Sequence, residues 1–192
     1  MDIEAVAFDL DGTITKTRVQ FAPYKKRIGC KNGDVLAYIK KQDQSQQLSL
    51  YRILDEYEYQ IEKDCILNDG FLDLMDFLNN KGIKTGIITR ATRHHARQVI
   101  QKLGIPINHV IGREDADPKP SGKPLIHLSS LLNKPLPKMI CVGDFLWDIL
   151  AGKNAHVATV LLATEASRKY IHLPDYVIYH LASLKDILEE KL

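Results

Sequence analysis

Residues 6–15 read VAFDLDGTIT, so an apolar run ends on two carboxylates, Asp9 and Asp11, with Gly12 and Thr13 directly behind them. Two acids this close repel unless a cation or a shared proton offsets them. Similar chemistry recurs downstream, each time just after an apolar run. Thr89 and Arg90 close GIITR, Lys119 lies in DPKPSGKP, and Asp144 and Asp148 lie in CVGDFLWD. In open α/β sheets, ligands bind outside the carboxyl ends of the strands. Carboxylates, a hydroxyl and a lysine gathered there form an inventory for holding Mg²⁺ together with a phosphoryl group.

Those residues need elements to position them. Short apolar, β-branched runs at Ala5–Phe8, Thr85–Ile88, His109–Ile111, Met139–Val142, Ala158–Leu162 and Tyr176–Tyr179 are mostly continuous, as in strands buried on both faces of a parallel sheet. Helical spacing lies between them: Phe71, Leu74, Met75 and Leu78; Ala96, Val99, Ile100 and Leu103 before Gly104; and Leu125, Leu128, Leu131 and Leu132. The alternation predicts an α/β fold with a doubly wound (Rossmann-like) parallel sheet core. Residues 18–67 break it. They offer no strand, but two helical patterns near Asp34–Lys41 and Leu48–Glu62, joined by the Gln-rich linker 42–47. Tyr51, Leu54, Tyr57 and Ile61 form a stripe that reads as the core of this insert. The expected organisation is a core of residues 1–17 and 68–192 with a small α-helical cap, 18–67, inserted after the first strand.

Composition narrows the function classes. Of the 192 residues, 45 % are apolar, and 26 basic against 24 acidic residues give a formal charge of +2, without the basic excess of a nucleic-acid binder. Three scattered cysteines, Cys30, Cys65 and Cys141, make neither a zinc knuckle nor a disulfide framework and suit a reducing cytoplasm. No apolar run approaches the roughly 20 residues that span a bilayer. The expectation is a cytoplasmic protein acting on a small molecule, with neither nucleic acid nor membrane as partner. No G-x-G-x-x-G follows the first strand, which argues against a nucleotide-cofactor dehydrogenase.

Four elements in order carry a resemblance: DLDGT at 9–13, the apolar run ending in Thr89, Lys119 before a proline, and GDFLWD at 143–148. Together they resemble the motifs of the haloacid dehalogenase-like hydrolases. AGKNA after Asp148, with TVLL beyond, is similar to the phosphoglycolate-phosphatase-like branch. His156 departs from that branch, whose members commonly carry glycine there, and this puts the local turn in question. The resemblance implies a Mg²⁺-dependent phosphatase of a small phosphomonoester, working through an aspartyl-phosphate.

It also implies roles. Asp9 is the nucleophile, and Asp11 is the general acid and then the base. Leu10, Asp11 and Gly12 offer backbone amides to the phosphate, Thr89 a hydroxyl, and Lys119 a point charge. Lys123, also before a proline, competes with Lys119. Asp144 joins Asp9 and the Asp11 carbonyl on the metal. Asp148 is either a further metal ligand or an orienting group behind it. Arg90 is a further candidate for substrate contact. Thr13 either supports the turn or starts the next segment. Arg93, His94 and His95 read as the solvated first turn of a helix. Basic residues of the insert, Arg18, Lys25, Lys26, Arg27 and Lys31, either coat a surface or pair with a second anionic group of the substrate. A phosphomutase acting on a sugar phosphate and a non-catalytic phosphate-binding module on the same fold are the alternatives.

Overall fold

The computed structural model describes residues 2–190. Six parallel strands form the main sheet: β1 (Ala5–Phe8), β4 (Lys84–Ile88), β5 (His109–Ile111), β6 (Met139–Gly143), β7 (Ala158–Leu162) and β8 (Tyr176–Ile178), in the order β5-β4-β1-β6-β7-β8. All four residues of β1 are buried, which explains why its sequence shows no alternation. The chain builds outward from β1 to β4 and β5, then crosses to β6, β7 and β8 on the other side. β1 is therefore the topological switch point, where connections diverge and leave a crevice.

Helices α4 (Phe71–Asn80), α5 (Arg93–Leu103), α6 (Lys123–Leu132) and α7 (Leu146–Asn154) make the crossovers, and α8 (Leu184–Glu189) follows β8. Of the three predicted stripes, α4 buries Phe71, Leu74, Met75 and Leu78, α5 buries Ala96 and Val99 and leaves Ile100 and Leu103 half-buried, and α6 needs a correction. Leu125, Leu128 and Leu132 of α6 join the core with Ala5, Ala7, Met139 and Cys141, whereas Leu131 is 47 % exposed. One residue before Leu132, it lies about 100° round the helix and faces water. His156 sits at φ 54°, so the turn after α7 is made with a histidine in the left-handed region.

The chain divides into two compact units, Thr17–Cys65 and the remainder. The smaller holds α1 (Ala22–Ile28), α2 (Val35–Lys40) and α3 (Gln44–Asp64). Ile28, Cys30, Val35, Leu36, Ile39 and Leu54 form its core, with Tyr51 packed against it. Tyr57 stacks against Phe21 and Tyr24, at ring-centroid distances of 4.8 and 5.1 Å. Asp64 accepts hydrogen bonds from Thr17 Oγ1 at 2.8 Å and Arg18 N at 2.7 Å, which joins the two ends of this unit.

Three sequence expectations for the insert are corrected. It contains a third helix, α1, which has no repeating apolar stripe. The linker is shorter than 42–47, because Gln44–Gln47 form the first turn of α3. Asp43 caps that turn by accepting from Gln46 N at 2.9 Å. Residues 18–67 are not strandless: β3 (Ile66–Leu67) pairs antiparallel with β2 (Thr15–Lys16) and stands with the larger unit. Of the basic residues, Arg18 pairs with Asp64 and Arg27 with Glu56 inside the insert.

Candidate active site

The carboxyl end of β1 sets the site. Asp9 follows β1 directly, and its amide donates to Val142 O at 2.8 Å, continuing the β1–β6 ladder by one residue. Phe8 pairs with Val142, so Asp144, just past Gly143 of β6, emerges beside the Asp9 turn. Gly12, at φ +98°, completes that turn. A Cβ there would come within 2.6 Å of Asp144 Oδ2, so only glycine allows the acid to approach. Gly143 plays the same part for Asp148, whose Cγ would lie 2.1 Å from an added Cβ.

Lys119, from the loop between β5 and α6, is 1 % exposed and donates at 2.5 Å to both Asp9 Oδ1 and Asp148 Oδ1. Lys123 pairs with Asp117 at 2.8 Å, its side chain 66 % exposed. The structure thus brings Lys119, not Lys123, to the acids. Asp148 Oδ2 accepts from Phe145 N at 3.1 Å, which fixes the acid at the start of α7. Thr13 is buried. Its Oγ1 lies 3.4 Å from both Asp9 Oδ2 and Asp144 Oδ1, and its carbonyl accepts from Asn68 Nδ2 at 3.0 Å. It therefore supports the turn instead of starting a new segment.

The remaining candidates are placed less uniformly. Thr89 is buried at the end of β4, and its Oγ1 accepts from Ala91 N at 3.0 Å, so its proton points elsewhere. Arg90 donates through Nη1 to the Lys119 carbonyl and lies over the Trp147 ring at 5.2 Å. The Gly12 amide donates to Thr15 O at 2.9 Å. Of the three amides proposed for a phosphate cradle, that of Gly12 is therefore engaged within the turn.

His95 is the residue whose sequence reading fails. It is buried at 1 % exposure, and its Nε2 lies 3.1 Å from Asp11 Oδ2 and 3.3 Å from Oδ1. Arg93 and His94 face solvent as expected. A signal existed, since His95, Ala96 and Val99 at i, i+1 and i+4 share the buried face of α5.

The electrostatics are those of crowded acids. Burial pushes the Asp9 carboxyl up to about 7, and the Asp148 and Asp11 charges add to the rise, against the pull of Lys119. Burial, then Asp9 and Asp148, likewise hold Asp144 well above the ordinary carboxylate range. Burial disfavours the Lys119 ammonium, but Asp148 and Asp9 outweigh it and keep the lysine charged. Asp9, Asp144 and Asp148 offer oxygens that all lie within 4.8 Å of one another. Three carboxylates facing one ammonium fit a hard divalent cation, which takes oxygen ligands and offsets the excess charge.

This crowding predicts a pH dependence in metal-free protein. Asp9 ionises near 3.8 when unperturbed and near 7 in the fold, so the folded state binds the extra proton. The stability it contributes is complete below the lower value and is lost as pH rises through the upper one. Measured in EDTA by urea unfolding, wild type should lose on the order of 1–3 kcal/mol relative to Asp9→Asn between about pH 4 and about pH 8. A difference that stays constant over this range would contradict the assignment.

Comparisons with known proteins agree with this geometry. Residues 3–156 match the family model described as haloacid dehalogenase-like hydrolase. A haloacid dehalogenase-like hydrolase domain-containing protein of Arabidopsis thaliana is 29 % identical, covering 97 % of this chain and 84 % of that protein. Pyrophosphatase PpaX of Halalkalibacterium halodurans is 26 % identical over 100 % of this chain and 99 % of its own. A hydrolase structure from Pseudomonas syringae superposes with a TM-score of 0.80 at 20 % identity, covering 97 % of this chain and 98 % of that one. With that family model matching most of its length, this chain belongs to the haloacid dehalogenase-like hydrolases.

Proposed function

We propose that the protein is a Mg²⁺-dependent phosphatase that hydrolyses a small phosphomonoester through an aspartyl-phosphate on Asp9. The observation that carries this reading is the position of Lys119 Nζ, 2.5 Å from both Asp9 and Asp148, with Asp144 alongside. Asp9 Oδ1 is held by the lysine, and its second oxygen attacks phosphorus. Lys119 offsets charge on the nucleophile and on the transferring phosphoryl group. The Leu10 and Asp11 amides and the Thr89 hydroxyl donate to the phosphoryl oxygens. Asp11 protonates the leaving oxygen, then takes a proton from the water that attacks the phosphoenzyme.

Asp9, Asp144 and the Asp11 carbonyl would hold Mg²⁺. The ion supplies charge neutralisation for the phosphoryl oxygens when bound. Asp148 has one oxygen on Lys119 and the other on Phe145 N. It therefore serves this reading better by orienting the lysine than as a metal ligand. Thr17–Cys65 acts as a cap that selects the substrate. The cytoplasm suits the three cysteines, all buried and none in a disulfide among the described residues. Among the described residues, no helix is long and apolar enough to cross a membrane.

A phosphate-release screen over sugar phosphates, phosphoglycolate, nucleotides and, because relatives are named pyrophosphatases, inorganic pyrophosphate tests the reading. Turnover of one or more of these should appear with Mg²⁺ and fall by at least about 10²-fold in EDTA. Mg²⁺ binding without phosphate release from any of them would favour a non-catalytic module.

A further inference from the structure

We propose that His95 is a positioning residue for Asp11, fixing the orientation of the carboxyl group that serves the leaving oxygen. The inference rests on the acid–base role proposed for Asp11. The histidine is 1 % exposed, while the Asp11 side chain is 22 % exposed, so a buried ring grips a carboxyl group that still reaches solvent and substrate. Both carboxyl oxygens lie within hydrogen-bond distance of the one nitrogen. The backbone behind the ring is itself fixed: Thr92 caps α5 by accepting from His95 N at 3.1 Å. A carboxyl group on a tight turn, otherwise free to rotate about its side-chain torsions, is thus held from a neighbouring helix.

The residue type suits the task. An imidazole nitrogen donates to a carboxylate and, in its other tautomer, accepts from a carboxylic acid. The same contact therefore serves an acid that gives up a proton in one step and regains it in the next. An ammonium or guanidinium would hold the carboxylate alone.

Positioning of a general acid matters most when the leaving group is a poor one. The phenolate released from phenyl phosphate is more basic than the para-nitrophenolate released from para-nitrophenyl phosphate, so its departure depends more on protonation. His95→Leu should lower kcat/KM for phenyl phosphate by about 10²-fold and for para-nitrophenyl phosphate by under about fivefold. His95→Gln, which retains a polar amide, should recover at least about tenfold of the loss on phenyl phosphate. Equal losses on both esters, or none on either, would overturn the proposal.

Asp11→Asn separates this inference from the reading beneath it. If Asp11→Asn itself shows no preference for the better leaving group, the acid role of Asp11 falls. If it shows the preference and His95→Leu does not, only the His95 proposal falls. A second measurement needs neither metal nor turnover. The ¹⁵N resonance of His95 Nε2 in metal-free protein should move on Asp11→Asn, and an unmoved resonance would refute the contact.

Discussion

Asp9→Asn should give a folded protein that releases phosphate from para-nitrophenyl phosphate at least about 10⁴-fold more slowly than wild type. An amide of nearly the same size keeps the turn but has no charged oxygen to attack phosphorus. The fold tolerates the change because Lys119 retains Asp148 at 2.5 Å and because a repelling carboxylate has gone. Asp9 is buried among Asp148, Asp11 and Asp144, and its charge is unfavourable there without metal. Activity should therefore collapse while the metal-free melting temperature at about pH 8 holds or rises. This opposition of function and stability is common where like charges are crowded for chemistry. Full turnover by the variant would remove Asp9 as the nucleophile. Loss of activity with loss of fold would show that the carboxylate is structural.

Lys119→Met should have the largest effect on stability. The ammonium is 1 % exposed and contacts two buried carboxylates. Removing the cation of such a cluster leaves uncompensated buried charge, typically a loss of 3–5 kcal/mol, or roughly 10 °C in melting temperature for a domain of this size. The penalty should shrink as the acids take up protons, so it is largest at about pH 8 and smaller at about pH 5. Mg²⁺ should offset part of it, and should stabilise the variant more than wild type, because the ion meets a more negative site. Turnover should fall as well, since charge on the attacking and transferring groups is no longer balanced. Melting curves of both proteins, with and without Mg²⁺ at the two pH values, read all of this. A pH-independent loss would place the lysine's contribution in packing and not in charge.

The larger unit was legible because its strands are buried on both faces. Runs such as AVAF and ATVLL need no partner information to be recognised, and β1, β5 and β7 form over the residues their composition marks. Asp9, Lys119, Asp144 and Asp148 were legible as candidates for a related reason. They follow such runs, and the sheet's parallel order carries strand ends to one edge.

What was missed leaves weak or conflicting signals. The seven residues of α1, APYKKRI, bury only Ile28, so no stripe repeats. The two-residue strands β2 and β3 are too short for any pattern and depend on each other. The polar start of α3 looked like a linker because helix and linker share glutamines and serines, and the cap at Asp43 decides the matter. His95 lies in RHHARQ, where charge suggests water, yet it is bound by a carboxylate 84 residues earlier in the chain. Contacts over that separation are made by the fold and leave little trace in the local sequence.

The central claim is that Asp9 accepts the phosphoryl group, and chemical trapping of the phosphoenzyme tests it most directly. Protein mixed with Mg²⁺ and para-nitrophenyl phosphate is quenched in acid within the first turnover, reduced with borohydride, digested and sequenced by mass spectrometry. Reduction of an aspartyl-phosphate yields homoserine, which the account predicts at position 9 and nowhere else. Homoserine at position 11, 144 or 148, or turnover that proceeds with residue 9 unmodified, would contradict it.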